Sequence, residues 1–199
     1  MEIMQGMNIM IVGVGGQGTL LASRVIGGAA LAAGYDVKVS EVHGMSQRGG
    51  SVVTYVRFGQ KVNSPLVDIG DADLILSFEA LEAVRFLKYL KPQGTLIVNE
   101  QQIDPMPVIA GAEKYPEGII DSLKKSDINA ITLDAAEIAT QCGDIRAVNI
   151  VLIGVMAGLG LGGIDREIWR DSVAKCVPQK ALELNLKAFD MGFERGSCK

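Results

Sequence analysis

Short, almost wholly apolar runs recur along the chain between stretches of helical spacing. A strand that is apolar on both faces must be buried on both faces. Residues 7–12 (MNIMIV), 74–78 (LILSF) and 95–99 (TLIVN) are runs of this kind. Residues 36–42, 51–58 (SVVTYVRF) and 131–133 are further strand candidates, β-branched or partly alternating. Between them, apolar spacing predicts helices over 19–33, 79–90, 135–141, 147–157, 166–174 and 179–189. Gly34 is placed to end the first helix, Lys91-Pro92 and Gly94 follow the second, and Pro178 suits the first turn of the last. Residues 101–125, with three prolines and weak periodicity, read as an excursion from the sheet. Strands alternating with helices predict an α/β, Rossmann-like fold: a mostly parallel sheet with helices on both faces. At 199 residues, with no repeat and no linker composition, the chain reads as one domain over 1–199.

Composition removes several classes of function. With 19 basic against 23 acidic residues and a net charge of −4, the chain lacks the electrostatic footprint of a nucleic-acid binder. Its three cysteines, Cys142, Cys176 and Cys198, are widely separated and accompanied by one histidine. That set suits neither a disulfide framework, nor zinc, nor an iron–sulfur cluster held by this chain alone. The start, MEIMQGMN, lacks the basic and apolar segments of a secretory signal, so a reducing cytoplasm is expected. Residues 147–164 run 18 positions without a charge and contain Gly154-x-x-x-Gly158. Asn149 and Gly158, Gly160, Gly162 and Gly163 argue against a membrane span and for a buried helix followed by a glycine turn. That helix either belongs to the core or offers an apolar face to a partner.

Two loops could carry chemistry. Gly13-Val14-Gly15-Gly16-Gln17-Gly18 is a G-x-G-x-x-G between a predicted strand and a predicted helix. Such a loop lets backbone N–H groups approach a pyrophosphate, and the helix N-terminus adds roughly half a positive charge. The bland alternative is a tight turn that binds nothing. In a dinucleotide fold an acid follows about 20 residues later to hold a ribose, and Glu41 stands near that place. Glu41 leads, however, into a second glycine-rich loop, His43-Gly44-Met45-Ser46-Gln47-Arg48-Gly49-Gly50. In a parallel sheet this loop leaves the same carboxyl edge as the first. Arg48 could present a guanidinium to a phosphate or carboxylate, and Gly49 and Gly50 would let the backbone come close. His43 has no evident nucleophile or base beside it in the sequence and reads as a hydrogen-bonding residue. Asp68, Asp71 and Asp73 read as turn and strand-start residues rather than a magnesium site.

The two loops together, GVGGQG and HGMSQRGGSVVTYVR, resemble the gamma-type domain of the 2-oxoacid:ferredoxin oxidoreductases, most closely the branch that serves indolepyruvate. Ser64-Pro65, Ala72–Leu76, Leu96–Asn99, Ala139 and Asn149-x-x-x-x-Gly154 extend the likeness along nearly the whole chain. The resemblance implies a complex that decarboxylates an aryl pyruvate on thiamine diphosphate, passes electrons through iron–sulfur clusters to ferredoxin, and releases an aryl-acetyl-CoA. The chain has no full thiamine motif; Gly143-Asp144-Ile145 and Gly70-Asp71-Ala72 are partial echoes. It would therefore be an accessory subunit, inactive alone, with thiamine diphosphate and clusters on a larger alpha subunit. Coenzyme A is associated with the gamma-type domain in this family, and Gly13, Gly15, Gly16, Gln17, Gly18, Ser46, Arg48, Gly49 and Gly50 are the residues that would meet it. Two other readings stay open: an independent NAD- or FAD-binding Rossmann oxidoreductase using Glu41, or a gamma subunit serving pyruvate or another 2-oxoacid.

Overall fold

The computed structural model describes residues 6–43 and 50–198, the side chain of His43 excepted. Six strands, β1 (Met7–Val14), β2 (Asp36–His43), β3 (Ser51–Gly59), β4 (Ala72–Ser77), β5 (Leu90–Asn99) and β6 (Asn129–Leu133), form one sheet in the order β2-β3-β1-β4-β5-β6. β1, β4, β5 and β6 are parallel neighbours, while β3 runs antiparallel to both β1 and β2. β2 therefore points the same way as β1, and β3 alone is reversed. The sheet is mostly parallel, as expected, but the connection from β2 to β3 is a hairpin rather than a helical crossover.

Among the described residues eight α-helices accompany the sheet: α1 (Thr19–Ala32), α2 (Ala80–Phe86), α3 (Met106–Ile109), α4 (Ile119–Lys125), α5 (Ala135–Cys142), α6 (Val148–Gly158), α7 (Arg166–Cys176) and α8 (Leu182–Ser197). α1 and α5 to α8 pack over one face with Ile9, Ile11, Leu74, Leu76 and Ile97. α2 and α4 pack over the other with Met10, Val12, Ile75, Leu96 and Val98. This division follows the alternation of side chains along strands whose central residues are apolar on both faces. α1 ends where expected, with Gly34 at φ 90° just beyond it. Its own glycines allow close approach, since a Cβ on Gly28 would lie 2.7 Å from Ser172 Oγ of α7.

Three boundaries differ from the periodicity. α2 stops at Phe86, a 3₁₀ turn covers Leu87–Tyr89, and β5 already begins at Leu90. Pro92 and Gly94 sit at this irregular start, where the register to β4 shifts between Ala72 and Leu74, so the missing proline N–H interrupts no regular ladder. The 101–125 excursion returns to the sheet through α4, whose Leu123 is buried on it. α8 runs on to Ser197 through Gly192 and Gly196, because those glycines are contact points rather than stops.

α6 settles the question left by the uncharged 147–164 stretch. Residues Asn149 to Ala157 are all buried, so the segment is core and offers no docking face of its own. It is covered by α8 at glycine-to-glycine contact: a Cβ on Gly154 would lie 2.3 Å from the Phe189 carbonyl oxygen, and one on Gly192 2.2 Å from that of Val151. Among the described residues no helix is long and apolar enough to cross a membrane.

Asp71 and Asp73 act at the amino edge of the sheet. The Asn8 N–H donates to Asp73 Oδ2 at 2.7 Å, the Asn8 amide to Asp71 Oδ2 at 2.9 Å, and Lys91 Nζ to Asp73 Oδ1 at 2.7 Å. Their carboxylates thus tie the starts of β1, β4 and β5 together, the structural role expected of them.

Candidate functional site at the carboxyl edge of the sheet

β1 and β4 are neighbours, yet the chain leaves β1 toward β2 and β3 on one side before returning to β4 on the other. That makes the gap beyond their carboxyl ends the switch point, where open α/β sheets bind ligands. The loop from Gly13 to Gly18 crosses it. Gly16 and Gly18 have φ 103° and 83°, the left-handed region that glycine occupies without strain. Gly18 is also crowded, since a Cβ there would lie 2.6 Å from Asn149 Nδ2. Gln17 folds back into the loop. Its Oε1 accepts the Val14 N–H at 2.7 Å, and its Nε2 donates to the Phe78 carbonyl at 2.9 Å and to Gln101 Oε1 at 3.2 Å. This side chain fastens the loop to the ends of β4 and β5, and a Cβ at Gly13 would meet its Oε1 at 2.7 Å.

α1 starts at Thr19 with no side-chain cap and no acidic residue in its first turn. Its first N–H groups, which by helix geometry have no partner within the helix, face the loop with the positive end of the helix dipole. An anionic group is the natural complement of this arrangement. The Gly15 N–H is already committed, donating to the Gly50 carbonyl at 2.9 Å.

That bond joins the two glycine-rich loops. β2 ends and β3 begins at the edge where β1 ends, with Val14 opposite Ser51 and Val52 opposite His43. The second loop therefore leaves and re-enters beside the first, as the sequence implied. Gly50 lies against Gly15, while Ser46, Arg48 and Gly49 lie outside the described residues.

Residues that sequence reasoning passed over complete the edge. Ser51 Oγ donates to Glu82 Oε2 at 2.5 Å, and Arg85 Nη1 donates to Glu82 Oε1 at 2.6 Å. Glu79, fully buried, caps α2 by accepting the Glu82 N–H at 2.8 Å and accepts the Tyr115 hydroxyl at 2.5 Å. Burial first, and then the Glu79 carboxylate, push the Tyr115 phenol well above its usual pKa. Asn99 accepts the Ala135 N–H and donates to the Phe78 carbonyl. Glu79 and Glu82 read in sequence only as the opening of a helix; Asn149 was visible as a polar interruption of an apolar run.

Two open clefts lie further along the same edge. One of about 500 Å³ is bounded by Ala80, Gln102, Tyr115 and Ile119, and one of about 450 Å³ by Lys124, Asp134, Glu137 and Arg195; Glu100 lines both. Neither includes the glycine loop.

The dinucleotide alternative meets a topological obstacle. A ribose-binding acid belongs on the strand next to β1. Here β3 occupies that place, so Glu41 stands two strands from β1, about 10 Å away at ordinary strand spacing.

Comparison with known proteins agrees with this geometry. Residues 8–195 match the pyruvate ferredoxin/flavodoxin oxidoreductase family. Indolepyruvate oxidoreductase subunit IorB of Pyrococcus horikoshii is 43% identical over 194 residues, 95% of each chain. Ketoisovalerate oxidoreductase subunit VorA of Methanothermobacter marburgensis is 30% identical over 92% of this chain, which spans only 35% of that longer protein. The crystal structure of a keto/oxoacid ferredoxin oxidoreductase gamma subunit from Geobacter sulfurreducens superposes with a TM-score of 0.73 at 25% identity, covering 97% of this chain and 99% of that one.

Proposed function

Because the chain belongs to the pyruvate ferredoxin/flavodoxin oxidoreductase family, we propose that it is the accessory subunit of an indolepyruvate:ferredoxin oxidoreductase. The observation that carries this reading is the end-to-end match to an indolepyruvate oxidoreductase subunit at 43% identity, against 30% for a ketoisovalerate subunit. In this reading a larger subunit bears thiamine diphosphate, which supplies decarboxylation of the 2-oxoacid, and iron–sulfur clusters that carry two electrons to ferredoxin. The acyl group leaves as aryl-acetyl-CoA.

The residues of this chain do not fit thiamine diphosphate. Asp144, in one partial echo of its motif, is bound by Arg146 at the start of a 3₁₀ turn, and Asp71, in the other, is bound by Asn8. Three cysteines at the ends of three different helices cannot supply the four thiolates of a cluster.

What the chain can offer is a seat for coenzyme A. The uncapped start of α1 beside Gly16 and Gly18 suits a pyrophosphate, and Gln17 keeps the loop in shape from within. The bond from Gly15 to Gly50 sets the end of the second loop beside the first, and in this reading Ser46, Arg48 and Gly49 meet the same ligand.

The test is kinetic. The purified chain should show no turnover, and the complex with its large subunit should reduce a viologen dye with indolepyruvate in preference to pyruvate or ketoisovalerate. In that complex Arg48→Ala should raise the apparent CoA constant by about ten- to a hundredfold, the worth of one charge-assisted hydrogen bond. The indolepyruvate constant should change little. Turnover by the chain alone would overturn the accessory role; an unchanged CoA constant would overturn the CoA assignment only.

A further inference from the structure

Glu82 puts a charge where packing alone would not call for one. It is 2% exposed, and among the described residues its carboxylate meets two donors, Ser51 Oγ at 2.5 Å and Arg85 Nη1 at 2.6 Å. Burying a carboxylate is costly, and an apolar side chain of similar volume is often as stable or more so. Nor does Glu82 complete the cap of its helix. Glu79 and Glu82 have the spacing of a capping box, in which the later side chain reaches back to the backbone of the earlier. Glu79 accepts the Glu82 N–H at 2.8 Å, but the Glu82 carboxylate turns away from the cap and across to the sheet.

What it reaches is the junction of the two glycine-rich loops. Ser51 is the first residue of β3, directly after Gly50, and it pairs with Val14 at the last position of β1. The Gly50 carbonyl accepts the Gly15 N–H at 2.9 Å. Contacts therefore run from Glu82 to Ser51, along one peptide to Gly50, and across to Gly15 in the loop over the switch point. Among the described residues, Ser51 to Glu82 is also the one hydrogen bond that joins α2 to β3. Gln17 braces the first loop from the β4 and β5 side, and this path braces it from the β3 side.

We propose that Glu82 is a positioning residue for coenzyme A: through Ser51 it fixes the Gly50 carbonyl, and with it Gly15, so that the glycine loop is in shape before the pyrophosphate arrives. The proposal rests on the coenzyme A reading of that loop. A carboxylate suits the task because a charged acceptor makes a shorter and stronger hydrogen bond than a neutral one. A loop already held in its bound form loses less freedom on binding, which raises affinity. Glu82 itself touches no ligand in this scheme, and Arg85 balances its charge.

The test removes one hydroxyl. Ser51 is half-buried, so water can take the hydroxyl's place and Ser51→Ala should stay folded. Calorimetric titration of coenzyme A into the assembled complex, without 2-oxoacid, should show about tenfold weaker binding, the worth of one charge-assisted bond. Ser51→Thr, which keeps the hydroxyl, should bind within about twofold of wild type. Glu82→Gln keeps the shape and loses the charge, so it should weaken binding about threefold, half the free energy of the full bond. The apparent indolepyruvate constant should stay within about twofold in all three. Asp190→Asn, which breaks a charged tie between α7 and α8 instead, controls for general loosening and should leave coenzyme A binding within about twofold. Unchanged affinity in Ser51→Ala and Glu82→Gln, with Arg48→Ala still weakening it, would overturn the proposal and leave the coenzyme A reading standing. So would a loss in Ser51→Ala that Asp190→Asn matches or that Ser51→Thr does not restore. A wild-type complex that binds no coenzyme A, or an affinity that none of the variants changes, Arg48→Ala included, would overturn the coenzyme A reading and the proposal together.

Discussion

Gly16 and Gly18 share a left-handed backbone but not a neighbourhood. Around Gly16 a Cβ would meet open space; at Gly18 it would press on the Asn149 amide at 2.6 Å. Gly16→Ala should therefore cost only the conformational penalty, about 1–2 kcal/mol. Gly18→Ala should cost that and the displacement of Asn149, about 2–4 kcal/mol in all. Urea unfolding of the two variants measures the difference, and Asn149→Ala in the Gly18→Ala background should recover part of it. The glycines themselves are legible in the sequence because their spacing is local. Gln17 is not: its partners Phe78 and Gln101 are 61 and 84 residues away, so only the folded sheet shows that its amide braces the loop.

Between elements, the α6–α8 contact sets propensity against packing. Gly192→Ala gains about 1 kcal/mol of helix propensity. It also puts a methyl group 2.2 Å from the Val151 carbonyl, where backbone cannot yield without parting the helices, at a cost of about 3 kcal/mol. A net loss of about 2 kcal/mol in denaturant unfolding is expected. Hydropathy alone could not say whether the 147–157 helix would face core or partner. Its answer lay in Gly192 and Gly196, which matter only once α8 is known to lie across α6. A second inter-helix tie is titratable. Burial pushes the Asp190 carboxyl up, but hydrogen bonds from Arg170 and Arg166 outweigh it and hold its pKa below the usual 3.8. The stability this gives is present above the unfolded pKa and is lost as pH falls through the folded one. The gap in unfolding midpoint between wild type and Asp190→Asn should thus be full at pH 6 and shrink as pH drops below about 4.

At the level of the whole molecule, the alternation of strands and helices, the layer arrangement and the first glycine loop were all legible in the sequence. The strand order was not. Residues 51–58 read as a strand, but nothing local in SVVTYVRF says that it runs backwards between β2 and β1. That one reversal moves Glu41 away from the switch point and brings Gly50 back against Gly15.

The reversed strand also sets a timetable for making the protein. His43 and Val52 pair across 52 − 43 = 9 residues, Val14 and Ser51 across 51 − 14 = 37, and Ile9 and Leu74 across 74 − 9 = 65. Closing each successive loop costs more entropy than the last. β1 has no neighbour until β3 has left the ribosome, and from then on it has one whose hairpin is the cheapest contact in the sheet. β5 ends 99 − 59 = 40 residues after β3, a delay of about 2–8 s at usual synthesis rates. During that interval the nascent chain already holds the three strands β2-β3-β1, so the edge that carries both glycine loops can be assembled before the far half of the sheet has been translated.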